Sequence, residues 1–98
     1  MVLNWTKSQA EAFLAEHAAL FASAGLKPSI VGGVAKLGHS AHDLDVLLTP
    51  TRDAFDLEPI ILHFGWDNVE EGGNPYQENS SIFELRLADG RIVDLITA

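Results

Sequence analysis

A strand with two unlike faces sets the strongest limit on the fold of this chain. In the segment Asp43-Leu44-Asp45-Val46-Leu47-Leu48, apolar side chains at 44, 46 and 48 alternate with carboxylates at 43 and 45. Successive side chains of a strand point to opposite faces of a sheet. We therefore expect one face of this strand to be buried in the core, while the other brings two carboxylates to one place.

The clearest helix precedes this strand. It begins at a capping box over Thr6–Gln9, continues with apolar residues at helical spacing, and ends at Gly25, the glycine expected just after a helix. His17 falls within the apolar stripe. A histidine in that position is predicted to be a packed or half-exposed side chain rather than a metal ligand.

The remaining elements follow from hydrophobic spacing and from glycine and proline positions. Pro59 implies either a helix that begins at Leu57–Glu58 or a kinked one. The polar segment Glu70–Ser81 is predicted to be a loop, and Ala88-Asp89-Gly90 a tight hairpin turn. We expect a strand at Ser29–Val31, a short helix at Val34–His39, a strand at Leu44–Leu48, a helix within Asp53–Phe64, a short strand at Trp66–Val69, and strands at Ile82–Leu87 and Arg91–Ile96. This order predicts a single α/β sandwich domain over residues 1–98, with a mixed β-sheet and helices mainly on one face.

Composition excludes several functional classes. The 98 residues carry 14 Asp and Glu against 6 Lys and Arg, a net charge of −8. This balance disfavours direct nucleic-acid binding, which needs a basic surface. The absence of cysteine excludes disulfides, thiolate zinc sites and cysteine nucleophiles. With no apolar run near the roughly 18 residues of a membrane span and no signal-peptide pattern at the N-terminus, we expect a cytoplasmic protein without membrane contact.

The densest cluster of chemically informative residues lies between 31 and 48. The predicted strand Ser29–Val31 runs into Gly32-Gly33, whose missing side chains let backbone N–H groups approach a phosphate. A helix is predicted to begin there, and helix N-termini favour anions. Asp43 and Asp45 then share one strand face, as an oxygen-seeking ion such as Mg²⁺ requires.

A third acid stands out on the last predicted strand. Asp94 lies within Ile92-Val93-Asp94-Leu95-Ile96, which is otherwise wholly apolar. A carboxylate in such surroundings is costly unless it is paired or binds a metal ion. We therefore take Asp94 as a candidate functional residue. The alternative is a salt bridge from Asp94 to Arg86 or Arg91.

Other motifs in this region fit poorly. Gly33–Ser40 has the spacing of a P-loop, but His39 replaces the required lysine. The Rossmann glycine pattern is absent, and Asp45 comes too early for its ribose-binding acid. A zinc cluster of His39 and His42 with the aspartates remains an alternative. Ser40 with these histidines does not form a hydrolase triad, because no nucleophile elbow surrounds it.

The combined pattern resembles the nucleotidyltransferase superfamily with the polymerase-β-like catalytic fold. In that family a Gly-Gly or Gly-Ser pair closes one strand, Asp-x-Asp lies on the next, and a third Asp lies on a later strand. Gly32-Gly33, Asp43-Leu44-Asp45 and Asp94 match this pattern from about residue 30 to the C-terminus. The Gly-Gly form resembles the small antibiotic-modifying and toxin–antitoxin-type members more than the polymerases.

The resemblance implies a metal-dependent transfer of an NMP from an NTP to a hydroxyl acceptor, which is a small molecule, a protein or an RNA. By this analogy Asp43 and Asp45 would ligate two Mg²⁺ ions, or Mn²⁺, on the nucleotide triphosphate. Asp94 would share one ion and help to deprotonate the attacking hydroxyl. The ions would stabilise the attacking and leaving oxygens of an in-line displacement that releases pyrophosphate.

The resemblance also implies how the nucleotide and the acceptor are held. The β- and γ-phosphates would contact a set of residues beside the glycine pair, namely Gly32, Gly33, Ser40 and, as a helper, Lys36. Larger members carry a further domain or acceptor-binding segment after the third aspartate, which this sequence lacks. We therefore expect the acceptor pocket to come from Glu70–Ser81, from a second copy of the chain, or from a partner protein. The alternative function is a catalytically weak nucleotidyltransferase-like module that acts by binding a partner, as an antitoxin-type subunit does.

Overall fold

The computed structural model of the chain describes residues 5–40, 43–53, 56–73 and 81–97. Helices and strands alternate through most of this length. In chain order the elements are β1 (Trp5–Thr6), α1 (Lys7–Glu16), α2 (Ala18–Ser23), β2 (Leu26–Val31), α3 (Gly32–Leu37), β3 (His39–Ser40), β4 (Asp43–Pro50), α4 (Glu58–Phe64), a 3₁₀ turn (Trp66–Asn68), β5 (Val69–Gly73), β6 (Ser81–Arg86) and β7 (Ile92–Thr97).

Five of the strands form one mixed sheet in the order β2-β4-β7-β6-β5. The central pair, β4 and β7, is parallel, and the other neighbouring pairs are antiparallel. β1 and β3 form a separate two-stranded ribbon, with Trp5 opposite Ser40. The predicted α/β class with a mixed sheet is therefore confirmed.

All four helices contribute to a single hydrophobic core on one face of the sheet. Each places at least one buried side chain there, namely Ala10 and Phe13 from α1, Phe21 from α2, Val34 from α3 and Ile60 from α4. The strands meet them with alternate residues such as Leu44, Val46 and Val93, which are fully buried. The predicted placement of the helices mainly on one face is thus confirmed, and the opposite face of β4 and β7 carries the aspartates.

The first predicted helix is present but is divided in two. Thr6 and Gln9 form the expected capping box, in which the Thr6 hydroxyl accepts from the Gln9 N–H and the Gln9 side chain accepts from the Thr6 N–H. The break falls at His17, where both the backbone N–H and ring Nδ1 lie within hydrogen-bond distance of the Phe13 carbonyl oxygen. His17 is half-buried, as predicted. Gly25 follows α2 with a φ of +75°.

The segment from Pro59 to Gly73 confirms one prediction and corrects two. α4 begins at Glu58 with Pro59 in its first turn, so the unkinked alternative is right. The predicted strand at Trp66–Val69 is wrong, because Trp66–Asn68 is a 3₁₀ turn. The predicted loop is wrong over its first part, since β5 pairs through Gly73 with β6. β5 is an edge strand, where acidic and glycine residues are tolerated because one side of the backbone faces no other strand.

Residues 74–80 of the predicted loop lie outside the described residues, and its last residue, Ser81, is the first residue of β6. The hairpin at Ala88-Asp89-Gly90 is confirmed by the antiparallel pairing of β6 with β7 on either side of it. Among the helices that the structure describes, none has both the length and the apolar character needed to cross a bilayer.

Candidate functional site

The three predicted aspartates come together on the face of the sheet opposite the helices, which we call the acidic face. Parallel pairing of β4 with β7 sets Asp45 directly opposite Asp94, and Asp43 lies two residues before Asp45 on the same side of β4. All three side chains are half-buried. The structure therefore brings together carboxylates that are about fifty residues apart in sequence.

Crowding changes the acidity of these groups. Burial, together with a side-chain hydrogen bond with Asp43 and the negative charges of Asp43, Asp45 and Glu84, raises the pKa of Asp94 to about 7. Burial and the charge of Asp43 also raise the pKa of Asp45, although a hydrogen bond with Asp94 acts in the opposite direction. The three carboxyl groups are thus close enough to share protons, and they repel one another when all are ionised.

The alternative interpretation of Asp94, as the partner of an arginine, does not agree with this structure. Arg91 Nε instead lies 2.8 Å from Asp89 Oδ2, and the Arg91 backbone N–H donates to Asp89 Oδ1. A neighbouring guanidinium would lower the pKa of Asp94, whereas the pKa of Asp94 is raised. Asp94 therefore belongs with the other carboxylates rather than with the hairpin arginines.

Gly32 forms the wall beside Asp45. It has a φ of +70°, a conformation that L side chains rarely adopt, and a Cβ built on it would overlap the Asp45 carboxylate. Both the backbone conformation and the close approach of Asp45 therefore require glycine at this position. Because the side chain is absent, the chain turns from β2 into α3 directly against the carboxylate.

The other residues predicted to hold phosphates are Gly33, Ser40 and Lys36. A Cβ on Gly33 would stand 3.7 Å from Cβ and 3.8 Å from Oγ of Ser40, so these two residues are neighbours. Ser40 is half-buried on β3. Lys36 is exposed near the end of α3, and its proposed contact with phosphate stays a prediction.

Sequence reasoning missed two further acids on this face. Glu84 on β6 is directly opposite Asp94, and Glu70 on β5 is directly opposite Glu84. Four carboxylates thus run across four neighbouring strands, from Asp45 to Glu70. The predicted hairpin could have identified Glu84, because a turn centred on Asp89 pairs residues 84 and 94, which are equally distant from it. Glu70 had no comparable signal, because β5 was not predicted.

An open cavity of about 320 Å³ lies along this row beside Asp94. Its walls come from β5, β6 and β7. The residues that line it are Glu70, Glu71, Gly72, Ile82, Glu84 and Asp94. The cavity is large enough for a small molecule or the end of a side chain next to the Asp94 carboxyl.

The chemistry of the donor set fits a hard divalent cation. Carboxylate oxygens are the ligands that Mg²⁺ prefers, and Asp43, Asp45 and Asp94 supply them without a competing cation in their hydrogen bonds. Within the described ranges, no group of three or more histidine, aspartate or glutamate side chains is arranged so that it could hold a metal ion without rearrangement. The zinc alternative involves His42, which lies outside the described residues, and His39, which is exposed.

No protein-family model and no curated protein matches this chain in sequence. The assignment of a function to the acidic face therefore depends on the geometry of its residues.

The first prediction concerns the two adjacent glycines. Replacing Gly32 with alanine forces a side chain into a positive φ and against Asp45, so we expect it to lower the free energy of unfolding by at least about 1–2 kcal/mol. Gly33→Ala is the matched control, because its Cβ would make only ordinary contacts. Chemical denaturation of both variants measures the difference. Equal stability of the two variants would contradict the proposed role of Gly32.

The second prediction concerns the pH dependence of stability. Because the pKa of Asp94 is raised on folding, the folded protein holds this proton above the pH at which the unfolded chain releases it. The stabilisation is complete below about pH 4 and is lost as the pH rises through 7. Asn at position 94 cannot lose a proton, so the stability of Asp94→Asn relative to the natural chain should be greater at about pH 8 than at about pH 5.

Thermal melts at these two pH values test this expectation, with Asp67→Asn on the exposed 3₁₀ turn as the charge-matched control. The Asp67 variant should follow the natural chain at both pH values. The assigned pKa shift would be refuted if the difference in Tm between Asp94→Asn and the natural chain were the same at both pH values.

Proposed function

We propose that this chain is a minimal metal-dependent nucleotidyltransferase that moves an NMP from an NTP to a hydroxyl acceptor. The observation that carries the proposal is the parallel register of β4 and β7, which sets Asp45 opposite Asp94, with Asp43 on the same face. Gly32 adjoins Asp45, whose carboxylate occupies the space that a side chain at position 32 would need. The sequence resemblance to the superfamily and the fold class agree with this arrangement.

Asp43, Asp45 and Asp94 are the residues that would hold the divalent cations, two Mg²⁺ or Mn²⁺ with a bound NTP. When bound, these ions neutralise charge on the phosphates and on the attacking and leaving oxygens. By the resemblance to the superfamily, Asp94 would also help to accept the proton of the acceptor hydroxyl. The hydroxyl oxygen forms a bond to the α-phosphorus, the bond from that phosphorus to the bridging oxygen breaks, and pyrophosphate leaves.

Residues around the glycine pair would position the triphosphate. Gly32 and Gly33 lie in the first turn of α3, where backbone N–H groups have no partner within the helix, and Ser40 brings a hydroxyl next to Gly33. Lys36 is the one basic side chain on α3 and would contact the outer phosphates. The acceptor would enter through the cavity between β5 and β7, which opens directly beside Asp94.

The negative charge of the acidic face favours a site that is completed by a second molecule. Glu70 and Glu84 add two carboxylates to this face, and none of the described residues that line the cavity is basic. Such a surface repels a free triphosphate unless cations or basic groups offset its charge. A second copy of the chain or a partner protein would supply those groups, and the chain without its partner would then be weakly active. We place the reaction in the cytoplasm.

The third prediction is the transfer reaction itself. The full chain, incubated with each labelled NTP, Mg²⁺ and a panel of hydroxyl acceptors, should form a labelled NMP adduct and release pyrophosphate. Asp45→Ala should reduce this rate by about 10²-fold or more, because it removes charge stabilisation of the transition state. Asp67→Ala, which removes an exposed carboxylate outside the acidic face, should keep the rate of the natural chain.

Transfer that survives Asp45→Ala would refute the assignment of the metal ligands. If the chain transfers only after co-purification with a stoichiometric partner from its native host, the partner-dependent form of the proposal is correct. If neither the isolated chain nor its complex transfers an NMP, the protein is a binding module of the same fold.

The fourth prediction concerns metal binding without catalysis. An ion that binds only the folded arrangement should stabilise the protein by about 2.7 kcal/mol at a hundredfold excess over its Kd. For a domain of this size that free energy corresponds to a rise in Tm of about 10–20 °C. Asp94→Asn should reduce the rise and Asp67→Asn should not. A rise that is unchanged in Asp94→Asn would place the ion elsewhere.

A further inference from the structure

An arginine lies at the edge of the aspartate group on the acidic face. Arg86 follows Glu84 by two residues on β6. Its two neighbours along the chain face the core, since Leu85 is fully buried and Leu87 packs against the buried cluster. Because successive side chains of a strand point to opposite faces, Arg86 lies with Glu84 on the face away from the helices. It is exposed to solvent there.

The strand register places Arg86 beside the aspartates. Arg86 is directly opposite Ile92 on β7, and Ile92 is directly opposite Asp43 on β4. Asp94 is two residues beyond Ile92 on the same face, so Arg86 and Asp94 are diagonal neighbours on adjacent antiparallel strands. Such neighbours are about 7–8 Å apart, a distance that a long side chain can span.

The guanidinium of Arg86 is not engaged by the carboxylates around it. Its side chain forms no hydrogen bond or ion pair with another described residue. The raised pKa of Asp94 agrees with this, because a paired guanidinium would lower that pKa. The other arginines of the chain are engaged, Arg91 with Asp89 and Arg52 with a backbone carbonyl. Arg86 is therefore the arginine that is available to a ligand held at the aspartates.

The aspartates lie between Arg86 and the glycine pair. Gly32 comes directly after β2, on one side of β4, whereas Arg86 is on β6, on the far side of β7. Three strand spacings separate them by about 14 Å, which is too far for one phosphate group to contact both. A triphosphate with its outer phosphates at the glycine pair therefore has its α-phosphate at the Asp94 side, nearer to Arg86.

We propose that Arg86 binds the α-phosphate of the nucleotide, which is the group that the acceptor hydroxyl attacks. A guanidinium donates two parallel N–H groups to two phosphate oxygens at once and keeps its charge throughout the working pH range. This inference rests on the proposed function, because it takes the nucleotide to be held with its divalent cations at the aspartates. It adds one residue of this chain to the basic groups that offset the charge of the phosphates during the displacement.

The test is a calorimetric titration of the full chain with nucleotides in the presence of Mg²⁺. The α,β-methylene analogues of the NTPs cannot be cleaved between the α- and β-phosphates, so they report binding without turnover. The NMP with the base of the tightest analogue carries the α-phosphate alone, and its nucleoside carries no phosphate. Arg86→Gln should weaken the NTP analogue and the NMP about tenfold each, because it removes charge-assisted hydrogen bonds. The affinity for the nucleoside should not change.

Two lysines provide matched variants. Lys36→Gln should weaken the NTP analogue but not the NMP, because Lys36 is proposed to contact the outer phosphates. Lys27→Gln should change neither affinity, since Lys27 is opposite Thr49, about 13 Å along the sheet from Asp45. Arg86→Lys should recover part of the affinity, because it restores the charge without the paired N–H groups. Melting curves check that each variant is folded.

The outcomes separate this inference from the proposed function. If the natural chain and Arg86→Gln bind the NTP analogue equally well, the role of Arg86 is wrong and the proposed function stands. Weakening of the NTP analogue alone, or equal weakening by Lys27→Gln, would also overturn the role of Arg86. If the natural chain binds no nucleotide with Mg²⁺ up to about 10 mM, both fail. The expected pattern of affinities in a chain that transfers no NMP would support Arg86 and overturn only the transfer reaction.

Discussion

Most of this structure follows from the parallel pairing of β4 with β7. It joins two segments about fifty residues apart and makes them neighbours within the sheet. Both strands alternate between buried residues and half-buried residues that include the aspartates. In the observed register, the buried residues of both strands therefore face the core and the aspartates of both strands face the other side. A shift by one residue would turn Leu44 and Val93 toward the open face and the aspartates into the core. The cost of burying those carboxylates excludes the shifted register.

The same register has an electrostatic cost. Asp45 and Asp94 lie side by side, Asp43 is near, and Glu84 extends the row, so charges of one sign accumulate on a partly desolvated surface. The raised pKa of Asp94 reports this cost, since a bound proton relieves the repulsion. Core packing on the opposite face offsets it, because Val93 and Leu95, on either side of Asp94 along the strand, are almost completely buried.

The two sides of the sheet thus differ in chemistry. One side presents carboxylates around Asp94, and the other has a cavity lined by aromatic rings and Arg91 beside the hairpin that leads into β7. Trp5 links this hairpin to β3. It is fully buried beneath Arg91, donates a hydrogen bond to the Ile92 carbonyl, and pairs through β1 with Ser40. The short ribbon of β1 and β3 therefore connects the hairpin to the segment that carries Ser40.

Local patterns alone predicted a large part of this fold and of its acidic face. The capping box at Thr6 and the glycine after α2 depend on residues a few positions apart, and these predictions are confirmed. The alternation along β4 identified which of its side chains are buried, and the single acid in an otherwise apolar segment marked Asp94 as exceptional. Such signals need no distant partner, because the period of the side chains and the cost of a buried charge act within one segment.

Contacts between distant segments account for what local patterns could not predict. They made β4 and β7 adjacent and parallel, placed Glu70 in the row beyond Glu84, and turned the polar segment Val69–Gly73 into an edge strand. β5 exists because β6 supplies its hydrogen-bond partners, which compensates for a sequence with little strand propensity of its own. A cavity of about 320 Å³ on the helix-covered side likewise joins residues of α1, α4 and the last hairpin. Backbone pairing and side-chain packing between distant segments are properties of the folded chain, and no local pattern in the sequence encodes them.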